Sequence, residues 1–264
     1  MGGLEVIDPR FVELHDRAVA VLGADERVTS VSVSGSVGSG TADEWSDLDL
    51  QVVVAAEHHE AFLAEWPTWL AEITPTVFAR TPIAPFVINT VTADGLTFDL
   101  AVFPGEAFAF PPPTGYTVGM LASARFERID EALEYAVVEQ LRGMAGPFIS
   151  LIQRDEHLKH LAGVPHLLGL LTTVFLAELD APMPGKHWNR TFTPEQLAAV
   201  AALPGAAATR EAMIAFGMGV AELVLTRARP LFADRGLEWP APLAAVAADR
   251  VRDCLGMEPG DWLR

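Results

Sequence analysis

The sequence is poor in cysteine, in lysine and in positive charge altogether. Cys254 is the single cysteine among 264 residues, so no intrachain disulfide can form and nothing points to an oxidising compartment. A reducing cytoplasm is the expectation. Lysine occurs only as Lys159 and Lys186, and 18 Lys and Arg stand against 35 Asp and Glu, a formal net charge of -17. That balance argues against a general nucleic-acid track, because duplex binding rests on neutralising phosphates with a basic face. It suits a small cationic partner, and it also simply keeps a chain soluble. The opening MGGLEVIDPR lacks a basic stretch leading into an apolar run, so no signal peptide is expected. A clean membrane span is lacking too. The longest uncharged run, 160–177, contains His160, Pro165, His166 and paired threonines, and reads as a buried core helix.

What is present is apolar mass in two patterns. Half of the residues (50%) are hydrophobic, enough for a substantial core, and the length suggests two modest domains. Asp8 and Pro9 open a helix with Phe11, Leu14, Ala18 and Val21 on one face and Gly23 at its end. From Val28 the period changes to two, with Val31 and Val33 alternating against Ser30, Ser32 and Ser34. That strand runs into Gly35 and Ser36. After a loop, DLDLQVVV reads as a central strand that begins with two carboxylates. Residues 58–73 look helical. Residues 86–92 and 96–103 read as a hairpin turned at Asp94 and Gly95. The cluster Pro111, Pro112, Pro113 and Gly115 is the natural linker. Beyond it, residues 129–144 and 149–160 carry helical spacing, and Thr193, Pro194 and Gln196 form a capping-box start. The expected organisation is α+β, with a mixed sheet and flanking helices over 1–110 and an all-helical bundle over 111–264.

The chemistry concentrates in GSVGSGTADEWSDLDLQVVV. Strand side chains alternate, so Asp47 and Asp49 project from one face about 7 Å apart along the strand. Two such carboxylates repel one another unless a cation lies between them, and their hard oxygens suit magnesium. Gly35 lets backbone approach a phosphate, and the Ser36 hydroxyl with nearby N–H groups can donate to phosphate oxygens if a helix starts there. These pieces fit a metal-held triphosphate. Asp99 adds a third carboxylate, since Thr97, Asp99 and Ala101 share one face of TFDLAVF. If its strand lies beside the Asp47–Asp49 strand, it can ligate a metal or take a proton; otherwise it is a strand-edge aspartate facing water.

On these residues the sequence resembles the polymerase-β superfamily of nucleotidyltransferases, in which a Gly-Ser is followed by an Asp-x-Asp strand and a later third carboxylate. The resemblance spans roughly 28–103, and TADEWSDLDL is similar to bacterial antibiotic nucleotidyltransferases. It implies a nucleotidyltransferase fold in the first domain and a substrate-binding helical second domain. It implies two Mg2+ ions, ATP as co-substrate and AMP transfer to a hydroxyl of a small acceptor, an aminoglycoside or a lincosamide, with release of pyrophosphate. Asp47 and Asp49 would then be shared metal ligands and Asp99 a third ligand or the base. Ser39 departs from many relatives, which have arginine there. Two other readings compete: AMP transfer onto a protein, as in antitoxin-like members, and a non-catalytic nucleotide-binding module that kept the fold.

Between 28 and 103 the only Lys or Arg is Arg80, too little charge for a triphosphate. Lys186 and Arg190 in PGKHWNRTF are the first candidates to supplement it as nucleotide-binding residues; that loop either closes over the nucleotide or is a surface turn with Trp188 tucked against its domain. Arg154, His157 and Lys159 fall on one predicted helix as a solvated group. Glu134 and Glu139 read as a solvated helix face, with a cationic acceptor as the alternative partner. The histidines lack metal-ligand spacing, so no zinc site is expected.

Overall fold

The computed structural model describes residues 7–81, 86–105, 126–184 and 186–263. The chain divides into two compact units, Met1–Val118 and Gly119–Arg264. The expected boundary at 110/111 and its proline cluster lie outside the described residues.

In the first unit, helix α1 (Arg10–Gly23) buries Phe11, Leu14, Ala18 and Leu22. Pro9 occupies the cap position, so the helix starts one residue later than expected, while the Asp8 carboxylate accepts from the Arg10 N–H at 3.0 Å. Strand β1 (Val28–Val33) leads into the short helix α2 (Gly35–Ser39), and β2 (Leu48–Val54) follows. The single helix expected over 58–73 is broken. A 3-10 turn at Ala56–His58 leads into α3 (His59–Ala64) and then α4 (Trp66–Ile73). Pro67 explains the break, since it has no N–H to continue α3 but fits the first turn of α4. Strand β3 (Thr76–Arg80) was not expected; β4 (Val87–Thr92) and β5 (Thr97–Pro104) form the hairpin, with Gly95 at φ +83° in its turn.

The five strands form one sheet in the order β1-β2-β5-β4-β3. The β2–β5 pair is parallel and the other pairs are antiparallel. One sheet face carries Leu48, Leu50, Val52, Ile88, Phe98 and Leu100, buried against α1, α3 and α4 through Leu14, Phe62, Trp69 and Leu70. Alternation therefore turns Asp49, Asp99 and Asn89 to the opposite face.

The second unit is helical. It contains α5 (Ile129–Ala145), α6 (Pro147–Gln153), α7 (His157–Leu179), α8 (Trp188–Thr191), α9 (Pro194–Ala201), α10 (Arg210–Arg235) and α11 (Ala241–Leu255). Helix α5 packs on α7 and α11, and α7 on α10. Leu133, Val137, Leu171, Val174, Val220 and Val224 are among the buried side chains. By length and composition α7 is the one helix among the described residues able to cross a membrane; Leu170, Leu171, Val174 and Phe175 are its buried side. The capping box at Thr193 and Gln196 forms as expected. Arg227 bridges Glu178 at 2.9 Å and Glu195 at 2.8 Å, joining α10 to α7 and α9.

Candidate active site

The Gly-Ser turn is built around the second carboxylate of the Asp pair. The Ser34 N–H donates to the Asp49 carbonyl at 2.8 Å, tying the end of β1 to the start of β2. Gly35 follows at φ +58°, a left-handed conformation that favours glycine. A side chain there is also excluded by contact: a Cβ on Gly35 would lie 1.8 Å from Asp49 Oδ2. The glycine is therefore needed to seat the carboxylate, in addition to any phosphate it approaches. Gly38 is constrained by space alone, since a Cβ would meet the Val33 carbonyl oxygen at 2.8 Å. The Ser36 carbonyl accepts from the Thr41 N–H at 2.9 Å, which closes the loop behind α2.

A second turn presents Asp47. The Asp43 carboxylate accepts from the Trp45 N–H at 3.0 Å and from the Ser46 hydroxyl at 3.1 Å, while the Asp43 N–H donates to Ser46 Oγ at 3.0 Å. Asp43 and Ser46 thus fix the approach to the strand, a role that sequence reasoning missed. Their signal was an aspartate bonding backbone two residues on, ordinary turn chemistry.

On the sheet, Asp49 and Asp99 are register partners across β2 and β5. Asn89 is the partner of Asp99 on β4, and Arg80 the partner of Asn89 on β3. Four strands thus contribute one lateral row: Asp49, Asp99, Asn89, Arg80. The strand-edge alternative for Asp99 falls away, because β5 lies between β2 and β4. The Asn89 amide donates to Asp99 Oδ2. Burial pushes the Asp49 carboxyl up to about 7, with the charges of Asp47 and Asp99 adding to the effect. Asp47 is exposed, while Asp49 and Asp99 are partly buried.

Among the described residues, no group of three or more His, Cys, Asp or Glu side chains forms a ready metal cage. Magnesium seldom uses one. It takes one or two carboxylates and completes its shell with water and substrate phosphates. A partly buried carboxylate destabilised by two neighbouring charges is the donor set such a cation would relieve, so the residues fit the group.

The remaining candidates lie in the helical unit. Lys186 and Arg190 are exposed, and His187 between them has φ +62°. Trp188 is 41% exposed, its ring edge-on to Phe192 at 6.0 Å. Two expectations are corrected. Arg154, His157 and Lys159 do not share a helix: α6 ends at Gln153, Asp155 turns the chain at φ +51°, and α7 begins at His157. Glu134 is exposed as expected, but Glu139 is only 6% exposed and pairs with Arg142 at 2.9 Å.

Residues 17–92 match the family model described as a nucleotidyltransferase domain, a segment that holds Gly35, Ser36, Asp47 and Asp49 and stops short of Asp99. No curated protein matches the chain. Among solved structures it is similar to an aminoglycoside 6-adenyltransferase from Bacillus subtilis, at 14% identity over 90% of this chain and 95% of that one, with a TM-score of 0.35. Residues 17–92, which carry Gly35, Ser36, Asp47 and the Asp49 end of the carboxylate row, thus match a nucleotidyltransferase domain.

Proposed function

We propose that the chain is a magnesium-dependent adenylyltransferase that moves AMP from ATP to a hydroxyl of a small cationic acceptor, an aminoglycoside or lincosamide antibiotic. The observation that carries the reading is the register of Asp49 beside Asp99, with Asp47 on the same strand approach and the Gly35 turn against Asp49. Asp47, Asp49 and Asp99 would hold Mg2+, which when bound neutralises charge on the α-phosphate and the departing pyrophosphate. The Gly35 backbone and the Ser36 hydroxyl would bind triphosphate oxygens. Asp99 would orient the acceptor hydroxyl or take its proton as the new P–O bond forms and pyrophosphate leaves. Lys186 and Arg190 would add positive charge for the β- and γ-phosphates. A net charge of -17 favours a cationic acceptor over an anionic one.

The test is to incubate the protein with each nucleoside triphosphate, Mg2+ and a panel of aminoglycosides and lincosamides. Pyrophosphate release together with a gain of one AMP on the acceptor is the expected result. Pyrophosphate release with no antibiotic modified would move the acceptor to another class, and AMP found on a protein would make that class the antitoxin-like one. No release under any combination would overturn the reading.

A further inference from the structure

Asp99 has a neighbour on each side within the sheet, and the two act oppositely. Asp49 on β2 repels the Asp99 carboxylate whenever both are ionised. Asn89 on β4 instead gives it a hydrogen-bond donor and no charge, through the contact of its amide with Oδ2. Asparagine is a poor strand former, and this one is flanked on its own face of β4 by Val87 and Val91. The strand would be better served by a β-branched residue, so the local sequence does not account for Asn89; its contact with Asp99 does. The terminal torsion of an aspartate is soft. The Asn89 amide, held at the register position beside it, contributes to fixing that torsion by engaging Oδ2 on the β4 side.

We propose that Asn89 is a positioning residue for the third carboxylate: by anchoring Asp99 Oδ2 it sets the orientation in which Asp99 meets the metal and the acceptor. The inference rests on the nucleotidyl-transfer reading above. In this role Asn89 acts through Asp99. Arg80, the next residue of the row, extends the same line of polar side chains to β3.

The experiment follows Mn2+ binding to the full chain by electron paramagnetic resonance, with adenosine α,β-methylene triphosphate present so that no turnover is needed. Asn89→Val removes the donor and suits a strand, and Asn89→Ala carries the same expectation should valine perturb the sheet. Asn89→Gln keeps an amide donor. The expected result is Mn2+ binding by wild type, an affinity lower by about 10- to 100-fold in Asn89→Val, as is typical when a metal ligand loses its supporting partner, and partial recovery in Asn89→Gln. Equal Mn2+ affinity and spectrum in wild type and folded Asn89→Val would overturn this inference alone. Absence of nucleotide-dependent Mn2+ binding in wild type would overturn the proposed function, and this inference with it.

Discussion

Asp49 carries two opposed demands. In the chain without metal its carboxyl is pushed up to about 7, first by burial and then by Asp47 and Asp99. A carboxyl whose folded value lies above its unfolded one favours folding most below the unfolded value, near 3.8, and that contribution is lost as pH rises toward 7. The full linkage is worth up to about 4 kcal/mol, which partial exposure reduces to about 2 kcal/mol. Asp49→Asn should therefore stabilise the metal-free chain at pH 8 by about 2 kcal/mol and by less at pH 5, while abolishing transfer. Thermal unfolding at the two pH values checks this, and a variant less stable than wild type at pH 8 would refute it. Gly35→Ala should fail for the converse reason: its Cβ would collide with Asp49 Oδ2, so Mn2+ affinity should drop at least about tenfold, as when a metal site loses its support. Gly40→Ala is the control. Gly40 has φ +74° with open space where its Cβ would go, so the change should cost about 1 kcal/mol of stability and leave metal binding intact. The common face of Asp49 and Asp99 was legible because a two-residue period fixes which strand side chains point the same way. Asn89 was not, since its meaning lies in a pairing between strands that no local pattern encodes.

Elements were read well where a chemical stop or start is written into the chain and poorly where it is not. The capping box at Thr193 formed as its sequence implies: the hydroxyl accepts from the Gln196 N–H at 3.1 Å, and the Gln196 side chain accepts from the Thr193 N–H at 2.9 Å. Thr193→Ala should cost about 1 kcal/mol, and Thr193→Ser much less, in denaturant unfolding. The hairpin at Asp94 and Gly95 was equally explicit. The break after α6 was not. Apolar spacing continues through Ile149 and Ile152, and the interruption comes from a left-handed Asp155, a residue type that tolerates this conformation without announcing it. Asp155→Gly should accordingly stabilise the fold by roughly 0.5 kcal/mol, because it relieves that backbone strain. Strand β3 escaped notice because five residues ending in arginine carry too short a period to stand out.

At the scale of the whole molecule, charge is the open variable. The first unit has Arg80 on the carboxylate row but no other Lys or Arg between 28 and 103, and the proposed triphosphate would call for more. Lys186→Ala should raise the KM for ATP or lower kcat by about tenfold, in line with the loss of one charge-assisted phosphate contact, with Arg190→Ala similar in direction. Wild-type ATP kinetics in both variants across a range of salt would remove that loop from nucleotide binding. The sheet order has a separate consequence for how the chain can be cut. Strand β5 separates β2 from β4, yet the family-matched segment ends at residue 92, before β5 begins. Expressed alone, that segment would hold two antiparallel strand pairs with no strand to join them, each presenting an unpaired edge of the kind that recruits other chains. The family-matched segment is therefore smaller than the sheet it belongs to, and a fragment that keeps the sheet joined has to extend through β5, to Pro104.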